Sequence, residues 1–139
     1  MWVFYALLSA LFAALTAIFA KIGVTNINAN LATGIRTVII LLMIWCIILV
    51  KGETKDIGSL SKQHILFLIL SGIATGLSWL FYFKALQLGK VSQAAAVDKL
   101  SLAIVIILSA MFLGEALTWK TLIGAGLIIL GTLVLVRQA

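Results

Sequence analysis

Proline is absent from this chain of 139 residues, cysteine and histidine occur once each, and only four residues are acidic. Each shortage removes a class of protein. The lone Cys46 allows neither an intramolecular disulfide nor a cysteine metal cluster. The single His64 falls at the start of an apolar run, where an interfacial position suits it, and no zinc-ligand cluster, Ser/His/Asp set, P-loop or dinucleotide fingerprint is present. An enzyme, a cofactor and a bound metal are therefore not expected. Charged residues make up only 10% of the chain. Its ten Lys and Arg give a net +6, but they stand singly at the ends of apolar runs and form no hydrophilic face of the kind that binds nucleic acid.

What is abundant is apolar sequence, 64% of all residues, more than a soluble domain of this length can hide. A helix needs about 20 apolar residues to cross the hydrocarbon core. Five runs meet that requirement, at 2–23, 31–50, 65–88, 92–113 and 117–136. They are apolar on every side, without the alternation of barrel strands, so all five read as helices. The expected fold is an all-α integral membrane protein with five spans in a single transmembrane domain, 1–139. The only connector of any size, 51–63, is polar and too short to fold alone. The first run is too long for a signal-peptide core, lacks a basic flank and precedes four more runs, so it is expected to remain as the first span.

Small residues recur at helix-packing intervals. Ser9, Ala13, Thr16, Ala20 and Gly23 share one stripe of the first span, Gly72 and Gly76 form a GxxxG in the third, and Gly124 and Gly131 lie on one face of the fifth. Packing within the chain is the expected use, because the motif is widespread in membrane helices.

Ionisable residues within spans carry more information, since each is costly there. The end of the first span, the start of the second, the end of the third and the start of the fourth share one membrane side. They bring Lys21, Arg36, Lys84, Asp98 and Lys99 to it. The three lysines have stems long enough to snorkel to the interface. Asp98 does not, and must be paired, protonated or wetted. At 1.5 Å per residue Arg36 lies about 7–8 Å below the start of its span and Asp98 about 9 Å below the start of its own, so a polar cavity lined by both is expected. Lys99 sits about 100° round the helix from Asp98, and adjacency alone does not pair them. On the third span Trp79 and Tyr82 each have an apolar face and a polar handle. With the stripe Ser71, Thr75, Ser78 and Tyr82 they favour a cavity-facing side of that helix for an organic solute, interfacial anchoring in an aromatic belt being the competing use of Tyr82.

Orientation is weakly specified. With the N-terminus inside, Lys51, Lys55, Lys62 and Lys120 lie inside, against Lys90 and Arg137 outside the spans on the other face, a small bias under the positive-inside rule. Such a chain is able to insert both ways. Two copies of an odd-numbered unit with opposite orientations would form inverted halves around a midplane site, a recurrent transporter architecture.

The stretches FYFKALQLGKVSQAAAVDKLS from Phe81, MFLGEALTW from Met111 and TLIGAGLIILGTLVLV from Thr121, with AKIG at Ala20 and IRTVIILL at Ile35, resemble the EamA domain of the drug/metabolite transporter superfamily, in its short single-domain form. The LGEALTW signature is the most specific piece, and the likeness covers essentially the whole chain. The resemblance implies a half-transporter unit whose two-domain relatives have ten helices with inverted halves and often export metabolites, amino acids or drugs. Glu115 matches the signature's acidic position, where it reads as structural beside the next helix's N-terminus. Arg36, Asp98 and Lys99 match positions where short members carry the same residue types. Proline is common in the family at Ala96, and alanine removes the local reason for a kink in the fourth span. The first span lacks the acidic residue by which the small multidrug resistance branch couples to protons.

The expected function is accordingly a small-solute exporter in a prokaryotic cell membrane. It would act as an antiparallel homodimer by alternating access, Trp79 and Tyr82 touching an organic group and Arg36 an anionic one, with Asp98, Arg36 and Lys99 as an ion-pair or coupling set. The competing expectation is a non-transporting accessory subunit of a larger membrane complex.

Overall fold

A computed structural model describes residues 1–137. Its helices are α1 (Trp2–Gly23), α2 (Ala29–Lys51), α3 (Lys62–Leu88), α4 (Val91–Asp98), α5 (Leu100–Phe112) and α6 (Trp119–Val136), with a 3₁₀ helix at Glu53–Ser59 in the longest connector and no strand among the described residues. Counting α4 and α5 as one span, Val91–Phe112, five helices are long and apolar enough to cross a membrane. The protein is an all-α multi-pass membrane protein.

The ends of these helices follow from local chemistry. Asn28 caps α2 by accepting a hydrogen bond from the Asn30 N–H at 2.8 Å, as short polar side chains do at helix starts. Ser61 does the same for α3, its hydroxyl accepting from the His64 N–H at 3.2 Å, and Thr118 for α6, accepting from the Thr121 N–H at 3.2 Å. Gly52 closes α2 at φ +70° and Gly114 follows α5 at φ +69°, the left-handed conformation that glycine adopts without strain. The glycine of the LGEALTW signature is thus explained by backbone geometry.

The chain divides into two compact units, Ala20–Gln87 and Met1–Phe19 with Leu88–Ala139. In the second of these, α6 packs along both α4 and α5. The fourth span is not the uninterrupted helix that Ala96 led us to expect. At Lys99 the ladder tightens: its N–H is shared between the carbonyls of Ala95 at 3.3 Å and Ala96 at 3.1 Å, and the Leu102 N–H reaches back only three residues, to Lys99, at 3.0 Å. The cause lies across the helix pair, where the buried Thr132 of α6 donates its hydroxyl to the Ala96 carbonyl at 3.0 Å. A side chain that bonds into the ladder is one of the causes of an interrupted helix, and here the hydroxyl is a second donor to a carbonyl that also accepts from Lys99.

Thr132→Val keeps the shape and removes that donor. It is expected to lower stability by about 1 kcal/mol, the scale of interhelical hydrogen bonds in membranes, with Thr132→Ser restoring most of the loss. Unfolding titrations of the purified protein in mixed micelles measure both, and a change under about 0.3 kcal/mol for the valine variant would deny the bond its role.

Candidate solute site

Within the unit Ala20–Gln87, the ends of α1 and α3 are tied by polar side chains. Lys21 Nζ donates to the Leu86 carbonyl. This is one of the last four carbonyls of α3, which have no partner of their own within the helix, and a cation there also meets the negative end of the helix dipole. Lys21 is therefore a tether between helices, and the reading of it as a snorkelling anchor does not survive. Gln87 answers from the other side, its amide donating to the carbonyls of Val24, at 3.2 Å, and Ile27. Beneath the tether, Val24, Phe83 and Leu86 are buried.

One turn further into the bilayer stands Arg36. It is the eighth residue of α2, which places it about 10 Å along the axis from the first. It shares a face with the buried Ala29 and Thr33 at intervals of four and three. The Thr33 hydroxyl is satisfied within α2 by the Ala29 carbonyl at 2.8 Å. The Arg36 guanidinium lies over the ring of Trp79 at 4.6 Å and over that of Phe83 at 5.3 Å, residues one helical turn apart on α3. Its half-buried neighbour Tyr82 lies on the adjoining face. The only acidic residues of this unit are Glu53 and Asp56, both in the connector beyond the far end of α2, where Glu53 pairs with Lys51 at 3.7 Å.

Cation–π contacts contribute about 0.5–2 kcal/mol, against a cost for an arginine that is about 2.5–3.5 kcal/mol at a helix centre and less toward the interface. Arg36 is held at a fixed place on aromatic rings with capacity for an anion.

The remaining residues expected at the site fall as follows. Thr75 donates its hydroxyl to the Ser71 carbonyl at 2.9 Å, and Ser71, Thr75 and Ser78 are all exposed along α3. Asp98 and Lys99 belong to the other unit. There the carboxylate and the ammonium are 3.5 Å apart, a pairing that the helix interruption between them allows and that a regular 100° step disfavours. Glu115, in the turn between α5 and α6, donates its N–H to the Ser109 carbonyl at 3.3 Å, and its side chain is exposed. Among the described residues no group of three or more His, Cys, Asp or Glu is placed to hold a metal ion.

The third-span glycines correct another expectation. A Cβ built at Gly72 or Gly76 meets nothing within 4 Å, so within the unit Ala20–Gln87 this GxxxG makes no close helix contact. The two glycines continue the line of Trp79 and Phe83, at spacings of four, three and four, on one face of α3. Phe83 and Gln87 were not singled out as site residues from sequence; their i, i+4 and i, i+8 spacing from Trp79 was the available signal.

Five apolar spans with cations and aromatics placed inside them define a polytopic membrane protein. Residues 1–137 match the EamA-like transporter family. The chain is also 49% identical over 134 residues to a Sinorhizobium protein described as an uncharacterized transporter in the cobO 3′ region, covering 96% of this chain and 95% of that protein. The chain belongs to the EamA-like transporter family. No solved structure matches it.

Proposed function

We propose that this protein exports small organic solutes, a metabolite, amino acid or drug, across the cell membrane of a prokaryote. In this reading residues 1–139 act as one domain and two antiparallel copies form the working unit by alternating access. The observation that carries it is Arg36, a charged side chain placed within a span on two aromatic rings at 4.6 and 5.3 Å. Charges at that depth are characteristically found on solute or ion pathways. Arg36, Ser71, Thr75, Ser78, Trp79 and Tyr82 would line the cavity, Asp98 and Lys99 would supply its coupling pair, and Glu115 would serve the turn. The odd number of spans supports the inverted second copy, since two copies of opposite orientation would form inverted halves.

Purified protein reconstituted alone into liposomes and screened with a radiolabelled panel of amino acids, organic acids and cationic dyes is expected to give saturable flux of at least one class. A chain that stays monomeric and fluxless alone, but copurifies stoichiometrically with a larger membrane protein, would instead mark an accessory subunit.

A further inference from the structure

We infer that the Arg36 site takes an organic monoanion, a carboxylate with a compact apolar body, its head on Arg36 and its body in the space beside Gly76 and Gly72. The inference deepens the transporter reading and rests on it for its physiological meaning, but it concerns binding and is tested apart from flux.

Three observations converge. The first is charge. Arg36 has no carboxylate near it in its own unit, and in the other unit the Asp98 carboxylate is already shared with Lys99 at 3.5 Å. The second is presentation. The guanidinium rests on the rings of Trp79 and Phe83, contacts that use no N–H donor, and its donors match a planar carboxylate in bidentate fashion better than an ammonium would. The third is room. Along α3 the line that begins with Phe83 and Trp79 continues into Gly76 and Gly72, where an added Cβ meets nothing within 4 Å. Those glycines lie about 5 and 10 Å further along the helix axis from Trp79. A ligand with its carboxylate at Arg36 therefore finds the Trp79 and Phe83 rings near its head and, within this unit, open space beside its body. An inorganic anion would leave that space unused, and a cation would be repelled by Arg36.

The probe is radiolabelled phenylacetate, measured by equilibrium binding to the purified protein in phosphatidylcholine nanodiscs, with phenylacetamide as neutral isostere and phenethylamine as cationic one. Phenylacetate is expected to bind saturably and to be displaced by neither isostere. Arg36→Gln is expected to weaken it about ten- to a hundredfold, the scale of a charge-assisted hydrogen-bonded pair, and Arg36→Lys to weaken it less. Gly76→Leu keeps the charge and fills the space, at a position where the structure has room for a side chain; it is expected to weaken phenylacetate about tenfold while leaving inorganic phosphate, which has no apolar body, as weak as before.

Equal binding of phenylacetate and phenylacetamide, or affinity unchanged in both Arg36→Gln and Gly76→Leu, overturns the inference. So does loss of phenylacetate binding when phosphatidylglycerol replaces phosphatidylcholine, since the anion at Arg36 is then a lipid headgroup. Carboxylate binding without flux of any solute leaves the inference standing and removes the transporter reading. Flux of carboxylates that is indifferent to Arg36→Gln does the reverse.

Discussion

Lys21→Met is expected to lower the unfolding free energy by about 1.5–3 kcal/mol, the range for hydrogen bonds to charged groups, whereas Lys84→Met changes it by less than about 0.5 kcal/mol, as exposed substitutions do. The two lysines look alike in the sequence, each near the end of a span on the same membrane side. In the structure Lys84 is exposed, while Lys21 crosses to α3 and holds the Leu86 carbonyl. Removing it leaves one of the last four carbonyls of α3, which have no partner within the helix, without that donor. The methionine stem retains the packing, so the loss reports the ammonium alone. Unfolding in mixed micelles measures it. Equal, small effects at both positions would return Lys21 to the status of a simple anchor.

The second large effect is expected from the pair Arg36 and Trp79. A double-mutant cycle with Arg36→Gln and Trp79→Leu should give a coupling energy of about 0.5–2 kcal/mol in stability, the span between exposed and desolvated cation–π contacts. The cycle removes the separate costs of losing a charge from a span and a ring from a helix face, and leaves the contact itself. The two rings divide the interaction, so Phe83→Leu combined with Arg36→Gln should show a smaller coupling, in keeping with 5.3 against 4.6 Å. Additivity within about 0.3 kcal/mol at both pairs would show that the guanidinium does not rest on these rings.

Much of the architecture was legible because hydrophobic runs are long and their limits are chemical. The five spans and their short connectors follow from the length of apolar segments, whereas the caps Asn28 and Thr118 set the starts of the second and fifth spans at Ala29 and Trp119 in place of the expected 31 and 117. The interruption at Lys99 was not legible, because its cause is the hydroxyl of Thr132, some 33 residues further along the chain, inserting into a ladder whose own sequence is helix-forming. The role of Lys21 was hidden for the same reason: a long flexible side chain reaches the interface or a neighbouring carbonyl with equal ease, and only the neighbour's position decides. Arg36 and Trp79 were each recognisable as misfits in a span, a cation and an amphipathic ring, but their contact depends on the relative rotation of α2 and α3. Periodicity identifies a face and leaves open what that face meets. The same limit explains Gly72 and Gly76, whose spacing suggests packing and whose surroundings are open.

The central claim is that a five-span unit becomes a transporter when a second, inverted copy completes it. A reporter fused to the C-terminus and assayed on both faces of the membrane in intact cells tests this most directly. The account predicts two populations, with the C-terminus inside in one and outside in the other, in comparable amounts because the basic residues outside the spans bias insertion only slightly. A single population, with every C-terminus on the same face, would contradict it.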